Sequence, residues 1–248
     1  MLEAADRFYK AVALRQSTTV TTATYVLIHG GGDSASCWDL LAAELRELGH
    51  EVVAVDLPCE DESAGLWDYA DAVVDAIPER ANLVVVGHSL GGFTAPLVCA
   101  RVPADLLVLV AGMIPSPGET GNDWGANTGY QSAANEQDAD DDSEIAVFYH
   151  DVPPELAAEA VTKWRDQAET PMLEPWPLDA WPDVPTRYLL CRDDRVFPAE
   201  WTRRVVRERL GITPDEIDGG HCPFLSRPKE LAERLEAYRS EQQTSASE

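Results

Sequence analysis

Lysine is nearly missing from this chain of 248 residues: Lys10, Lys163 and Lys229 stand against 44 acidic side chains. Arginine brings the bases to 19, and the formal net charge is −25. A surface that negative repels phosphate backbones and anionic lipid, which argues against nucleic acid or a membrane surface as a partner. Two readings of the scarce lysine stay open. One is work in concentrated salt, where screening quiets self-repulsion; the other is a GC-biased codon usage that favours Arg and Ala. Long apolar runs are also missing, and none approaches the roughly 20 residues that cross a bilayer. Residues 1–14 carry Glu3 and Asp6 and no apolar stretch, so no signal peptide is expected. The five cysteines (Cys37, Cys59, Cys99, Cys191, Cys222) show no paired spacing and no CxxC. That pattern excludes a zinc ribbon or a thioredoxin-like motif, and the expectation is reduced thiols in a cytoplasm.

What is present is ordinary globular composition, 45% hydrophobic and 25% charged, in a chain long enough to bury a core without staples. Short apolar runs alternate with helical periods. Strands are expected at 25–29, 51–55, 83–86, 106–110, 186–190 and 212–217. Helices are expected at 36–48, 66–77, 91–101, 199–210 and 229–239. Continuous apolar strands separated by helices of about 10–15 residues argue βαβ units and a parallel sheet covered on both faces, an α/β fold. The rhythm breaks over 115–184, a stretch with prolines, four tryptophans, an acidic run at 136–144 and a helical period at 154–164. The expected organisation is an N-terminal extension (1–21), a core (22–114 and 185–240), an inserted cap (115–184) and a frayed polar tail (241–248). The acidic run lacks the glycine of an EF-hand and reads as a solvated loop, so no metal is expected.

The chemistry-bearing residues fall at strand ends. Gly87-His88-Ser89-Leu90-Gly91 follows one predicted strand and opens the next helix, the setting in which a G-x-S-x-G turn exposes a nucleophile. Small neighbours allow the strained turn, and the Leu90 N–H points to the same spot as the serine hydroxyl. A serine needs a base. Of the five histidines, His221 in Gly219-Gly220-His221-Cys222-Pro223 follows the last strand and shares the sheet edge with Ser89, where open α/β sheets hold their sites. The histidine needs an orienting carboxylate. Asp193 and Asp194 both end the strand at 186–190, and the spacing to the helix near Pro198 favours Asp194. The chain order is then Ser89, Asp194, His221.

These stretches resemble the α/β-hydrolase family: YVLIHGGG (25–32), VVVGHSLGG (84–92), RDDRVFP (192–198) and GGHCP (219–223). The resemblance runs over roughly residues 22 to 238 and is strongest to the small esterase branch with plant methylesterases and hydroxynitrile lyases. It implies an α/β-hydrolase fold, with the Gly31 and Leu90 amides forming an oxyanion hole. It also implies esterase chemistry on a small-molecule ester, through an acyl-enzyme and without a cofactor. His29, Gly30, Gly32 and His88 around these groups, with Met113, Phe148 and Trp176, are the residues expected at the substrate site. The alternative for the aromatics is that they glue the insertion to the core. Cys191 and Cys59 depart from the family pattern, and Cys191 stands where it would shift the Asp194 loop.

Three rival functions remain open at this level. Gly30-x-Gly32-x-x-Ala35 with Asp56 imitates a dinucleotide fingerprint but leaves the serine turn and His221 unexplained. A non-catalytic receptor on the same fold would not need an intact triad. A lyase or perhydrolase would use the same triad, but the cap lysine of hydroxynitrile lyases has only Lys163 as a counterpart, in a different motif.

Overall fold

Five-residue runs such as Thr24–Ile28 and Leu106–Val110 present β-branched and aliphatic side chains at nearly every position, and every one of those residues is buried. A strand apolar on both faces needs cover on both faces, and the chain provides it with alternating helices. The computed structural model describes residues 22–78, 82–135 and 143–245. Its six strands are β1 (Thr24–Ile28), β2 (Glu51–Ala54), β3 (Leu83–His88), β4 (Leu106–Val110), β5 (Thr186–Cys191) and β6 (Asp215–Ile217). They form one sheet in the order β2-β1-β3-β4-β5-β6, with every neighbouring pair parallel. From β1, inside the sheet, the chain winds one way to β2 and then the other way from β3 to β6. Parallel strands put all carboxyl ends on one edge, which is where β1, β3, β5 and β6 hand over to the glycine, serine, acid and histidine loops.

The covering helices are α1 (Asp39–Glu47, after a 3-10 turn at Ala35–Trp38), α2 (Leu66–Ala76), α3 (Gly91–Arg101), α9 (Ala199–Leu210) and α11 (Pro228–Ser245). Each carries an apolar stripe inward, as Leu66, Tyr69, Ala70, Val73 and Val74 do on α2. Between β4 and β5 the chain leaves the sheet for short helices: α4 (Gly121–Asn127), α5 (Tyr130–Asn135), α6 (Glu144–Phe148), α7 (Pro154–Thr162) and α8 (Thr170–Leu173). The one-turn helix α10 (Pro223–Ser226) follows the histidine loop.

Two expectations are corrected. Strand β6 begins at Asp215 rather than at residue 212, since Pro214 has no N–H to give the ladder and holds its own φ. The tail does not fray at 241: α11 runs on to Ser245, with Glu241 3.0 Å from Arg187 and Thr244 Oγ1 bonded to Ser240 O. The N-terminal extension and most of the acidic run lie outside the described residues. Among the described residues no helix is long and apolar enough to cross a membrane.

Candidate active site

Ser89 sits between β3 and α3 with φ of 50°, one of three non-glycine residues in the left-handed region among the described residues. Such a conformation costs about 1–3 kcal/mol and persists only where the surroundings impose it. Here packing imposes it. A Cβ on Gly91 would lie 2.7 Å from both Ile28 O and His29 O, and one on Gly87 would lie 2.8 Å from Ala95 Cβ. The two glycines therefore let α3 press against β1 and β3, and the turn carrying the serine has no room to relax. Ser89 O accepts hydrogen bonds from Gly92 N (3.0 Å) and Met113 N (2.9 Å), fixing the turn from behind.

His221 Nδ1 lies 2.8 Å from Asp194 Oδ2, and both side chains are about 1% exposed. The other carboxylate oxygen, Oδ1, accepts from Val196 N (2.7 Å) and Phe197 N (3.0 Å). Three bonds thus fix the carboxylate, and Nδ1 is left as the donor. His221 Nε2 is buried with no hydrogen-bond partner among the described residues, so its bond to Ser89 Oγ is not made in this conformation. Bonds of this kind are often long without substrate and tighten in the complex. Asp193 instead joins the acid loop to the histidine loop. Its Oδ2 accepts from Gly219 N (3.1 Å), and its N–H donates to Gly219 O (3.0 Å).

The Gly30–Gly32 loop follows β1. A Cβ on Gly30 would stand 3.0 Å from Ser89 Cβ and 3.5 Å from its Oγ, so this backbone runs directly beside the Ser89 hydroxyl. Gly31 is exposed, and neither its N–H nor that of Leu90 has a hydrogen-bond partner among the described residues. Gly32 takes φ of 65° and is held at both ends by the insertion: its N–H donates to Gln167 Oε1 (3.1 Å) and its O accepts from Arg165 N (2.7 Å).

Of the remaining expected residues, Phe148 does stand at the site, its ring 5.7 Å from that of His221 in an edge contact. Met113 is buried behind the serine turn. His29, His88 and Trp176 are placed otherwise than expected, since each is buried and bonded to backbone rather than turned to a ligand. His29 donates from Nδ1 to Gly30 O (2.7 Å) and accepts Leu57 N–H at Nε2 (3.0 Å). It therefore shapes the glycine loop from inside, and burial holds it below its ordinary pKa. His88 donates from Nε2 to His221 O (2.9 Å) and ties the serine turn to the histidine loop; burial, then the nearby His221 ring, push it well below its ordinary value. Trp176 donates to Phe93 O (3.0 Å) and stacks on Trp181, gluing the insertion to α3. Trp124 does likewise against Phe197 and Trp201. Cys191 causes no visible displacement, for it closes β5 in register with Ile217. Burial pushes the thiols of Cys37 and Cys222 well up, which leaves them poor nucleophiles.

Sequence reasoning missed the residues of the insertion that touch these loops. His150 Nε2 donates to Asp193 O (2.9 Å), Asp151 Oδ2 accepts Gly220 N–H (2.9 Å) and Arg195 Nη1 donates to Ala146 O (2.8 Å). One short segment, 146–151, thereby grips both the acid loop and the histidine loop. No local pattern announces such contacts across 43 to 69 residues of chain.

A six-stranded parallel sheet with a strained serine after β3, an acid after β5 and its histidine partner after β6 defines the α/β-hydrolase class of architecture. The chain matches the model of the alpha/beta hydrolase family over residues 25–234, and it belongs to that family. It is similar to a probable esterase, PIR7A, of Oryza sativa subsp. indica, at 26% identity over 85% of this chain and 94% of the relative. It is 24% identical to methylesterase 2 of Arabidopsis thaliana, over 85% of this chain and 94% of that one. In fold it is similar to a pyrethroid hydrolase from Sphingobium faniae JZ-2, with a TM-score of 0.72, 23% identity and coverage of 89% and 98%.

Proposed function

We propose that this chain is a serine hydrolase cleaving carboxylic esters of small or medium apolar substrates through an acyl-enzyme. The observation that carries the reading is the buried His221–Asp194 pair, tied through His88 to the turn that holds a serine at positive φ. With Nδ1–H committed to Asp194, the Nε2 lone pair is free to take the Ser89 proton as Oγ attacks the ester carbonyl. The oxyanion then forms between the Gly31 and Leu90 amides, at the N-terminus of α3, where the helix dipole favours negative charge. His221 returns the proton to the leaving alcohol and afterwards activates the water that releases the acid. No step needs a metal or an organic cofactor. Residues 115–184 act as a cap, with Phe148 as part of the wall against which the substrate lies. The esterases among the relatives support this chemistry. The lyase reading has little support: the Lys163 ammonium is paired with Glu159 at 2.7 Å, and its surrounding motif differs from that of the hydroxynitrile lyases.

The test is release of p-nitrophenol from short and medium p-nitrophenyl esters, at low and at molar salt. Wild type is expected to turn over, and Ser89→Ala is expected to lose at least about 10³-fold in kcat. A folded wild type with no turnover at any salt would remove the esterase reading.

A further inference from the structure

A cavity of about 220 Å³ lies between the loop after β1, α7 of the insertion and the helix after His221. Its apolar wall is Leu40, Tyr149, Leu156 and Leu225. Two of its walls follow the site residues closely in the chain: Asp33 lies two residues beyond Gly31, and Leu225 N–H bonds back to Cys222 O next to His221. Tyr149 follows Phe148, whose ring meets that of His221.

The charge of this cavity is unbalanced. Asp33, Asp39 and Glu159 line it against one ammonium, Lys163, which is already paired with Glu159. Among the described residues neither Asp33 nor Asp39 has a cationic side chain within ion-pair distance. Asp33 is half-buried, with Oδ1 accepting the adjacent Ser34 N–H (2.8 Å). Burial raises its pKa, so the ionised form lacks solvation that a cation would replace. An apolar wall with an aromatic ring and uncompensated carboxylates matches an alkylammonium group, which is greasy along its stem and positive at its head.

We propose that this cavity receives the cationic end of the substrate, making the preferred esters those whose acyl or alcohol part carries a protonated or quaternary amine, with Asp33 as the specificity-determining residue. The proposal rests on the esterase reading and names its substrate class. The net charge of the whole protein is not the source of this selectivity. Removing one carboxylate from a chain with net charge −25 barely changes the general attraction for cations, whereas removing Asp33 changes the local one.

Two matched pairs test it, at the lowest salt that keeps the protein folded: butyrylcholine against 3,3-dimethylbutyl butyrate, and p-nitrophenyl 6-aminohexanoate against p-nitrophenyl heptanoate. In at least one pair the cationic ester is expected to have about tenfold the kcat/KM of its neutral isostere. In Asp33→Asn that ratio falls at least about fivefold, while in Asp105→Asn, which removes a distant surface acid, it stays as in wild type. Binding of hexyltrimethylammonium, followed by calorimetry, is expected to weaken in Asp33→Asn and not in Asp105→Asn. Turnover of the neutral esters with ratios near one in wild type overturns the proposal and leaves the esterase standing. If no ester is turned over, the esterase reading fails instead. Hexyltrimethylammonium bound equally by wild type and Asp33→Asn then overturns the cation site on its own terms.

Discussion

Asp194→Asn is expected to lower kcat for ester hydrolysis by about 10⁴-fold while leaving the fold intact. The reason is a tautomer. In the native site Oδ1 is occupied by the Val196 and Phe197 N–H groups, and Oδ2 accepts from His221 Nδ1. An asparagine keeps its one oxygen on the two backbone donors and turns its NH₂ toward His221. Nδ1 must then accept, the ring proton moves to Nε2, and the ring has no lone pair left for the Ser89 hydroxyl. Substrate binding and thermal midpoint should change little, so the loss appears in kcat rather than in KM. Asp193→Asn is the contrast. Its amide oxygen can still accept from Gly219 N, His221 keeps its partner, and the loss should stay within about tenfold. Equal losses in the two variants would mean that Asp194 does not orient the base.

Gly92→Ala is expected to be the most destabilising single methyl in the chain. An added Cβ would overlap Met113 O and stand 2.8 Å from Met113 N and 2.9 Å from its carbonyl carbon. All three are backbone atoms, so no rotamer change relieves the contact. The same Met113 N–H donates to Ser89 O, and the loop after β4 cannot retreat without releasing the serine turn. Overpacking commonly costs about 1–3 kcal/mol, and this backbone clash should reach or exceed ~3 kcal/mol. For a domain of this size that lowers the thermal midpoint by about 6–12 °C, measurable by circular dichroism, with activity falling in parallel. A drop below about 2 °C would show that the loop after β4 is freer than its contacts imply.

Most of the sheet is legible in the sequence because parallel strands buried on both faces read as unbroken apolar runs. β1, β3 and β4 do so plainly, and the serine turn needs β3 and α3 immediately on either side. The preference for Asp194 over Asp193 rests on its spacing to α9. The spacing works because Oδ1 must reach the N–H groups of Val196 and Phe197 in the turn that leads into that helix. Other features are not local and so not legible. Gln167 and Arg165 hold Gly32 across 135 residues or nearly so, and nothing around them marks that duty. His29 and His88 look like ligands for a substrate because they flank the glycine loop and the serine. Both ring nitrogens of His29, and Nε2 of His88, instead satisfy backbone groups that would otherwise be buried without partners. Trp176 shows the same limit: an indole in an insertion suits a pocket wall and a packing wedge equally, until its N–H is seen on Phe93 O. The last turn of α11 escapes a pattern search because polar residues 241–245 lack an apolar stripe, yet Arg187 and the backbone of Ser240 give them partners.

The cap segment 146–151 meets the catalytic loops and the cavity at once. It presents Phe148 to the His221 ring, grips the Asp194 and His221 loops through His150 and Asp151, and places Tyr149 on the cavity lined by Asp33. On the proposed esterase reading, substrate choice and alignment of the base both fall to this one stretch of chain.

The central claim is that Ser89 forms an acyl-enzyme, and intact-mass spectrometry reads it most directly. Protein mixed with excess p-nitrophenyl butyrate and quenched in acid within the first turnovers should gain the mass of one butyryl group, and peptide mapping should place it on Ser89. Ser89→Ala should gain nothing under the same conditions. Butyryl label on another residue, or full ester turnover by Ser89→Ala, would contradict the account.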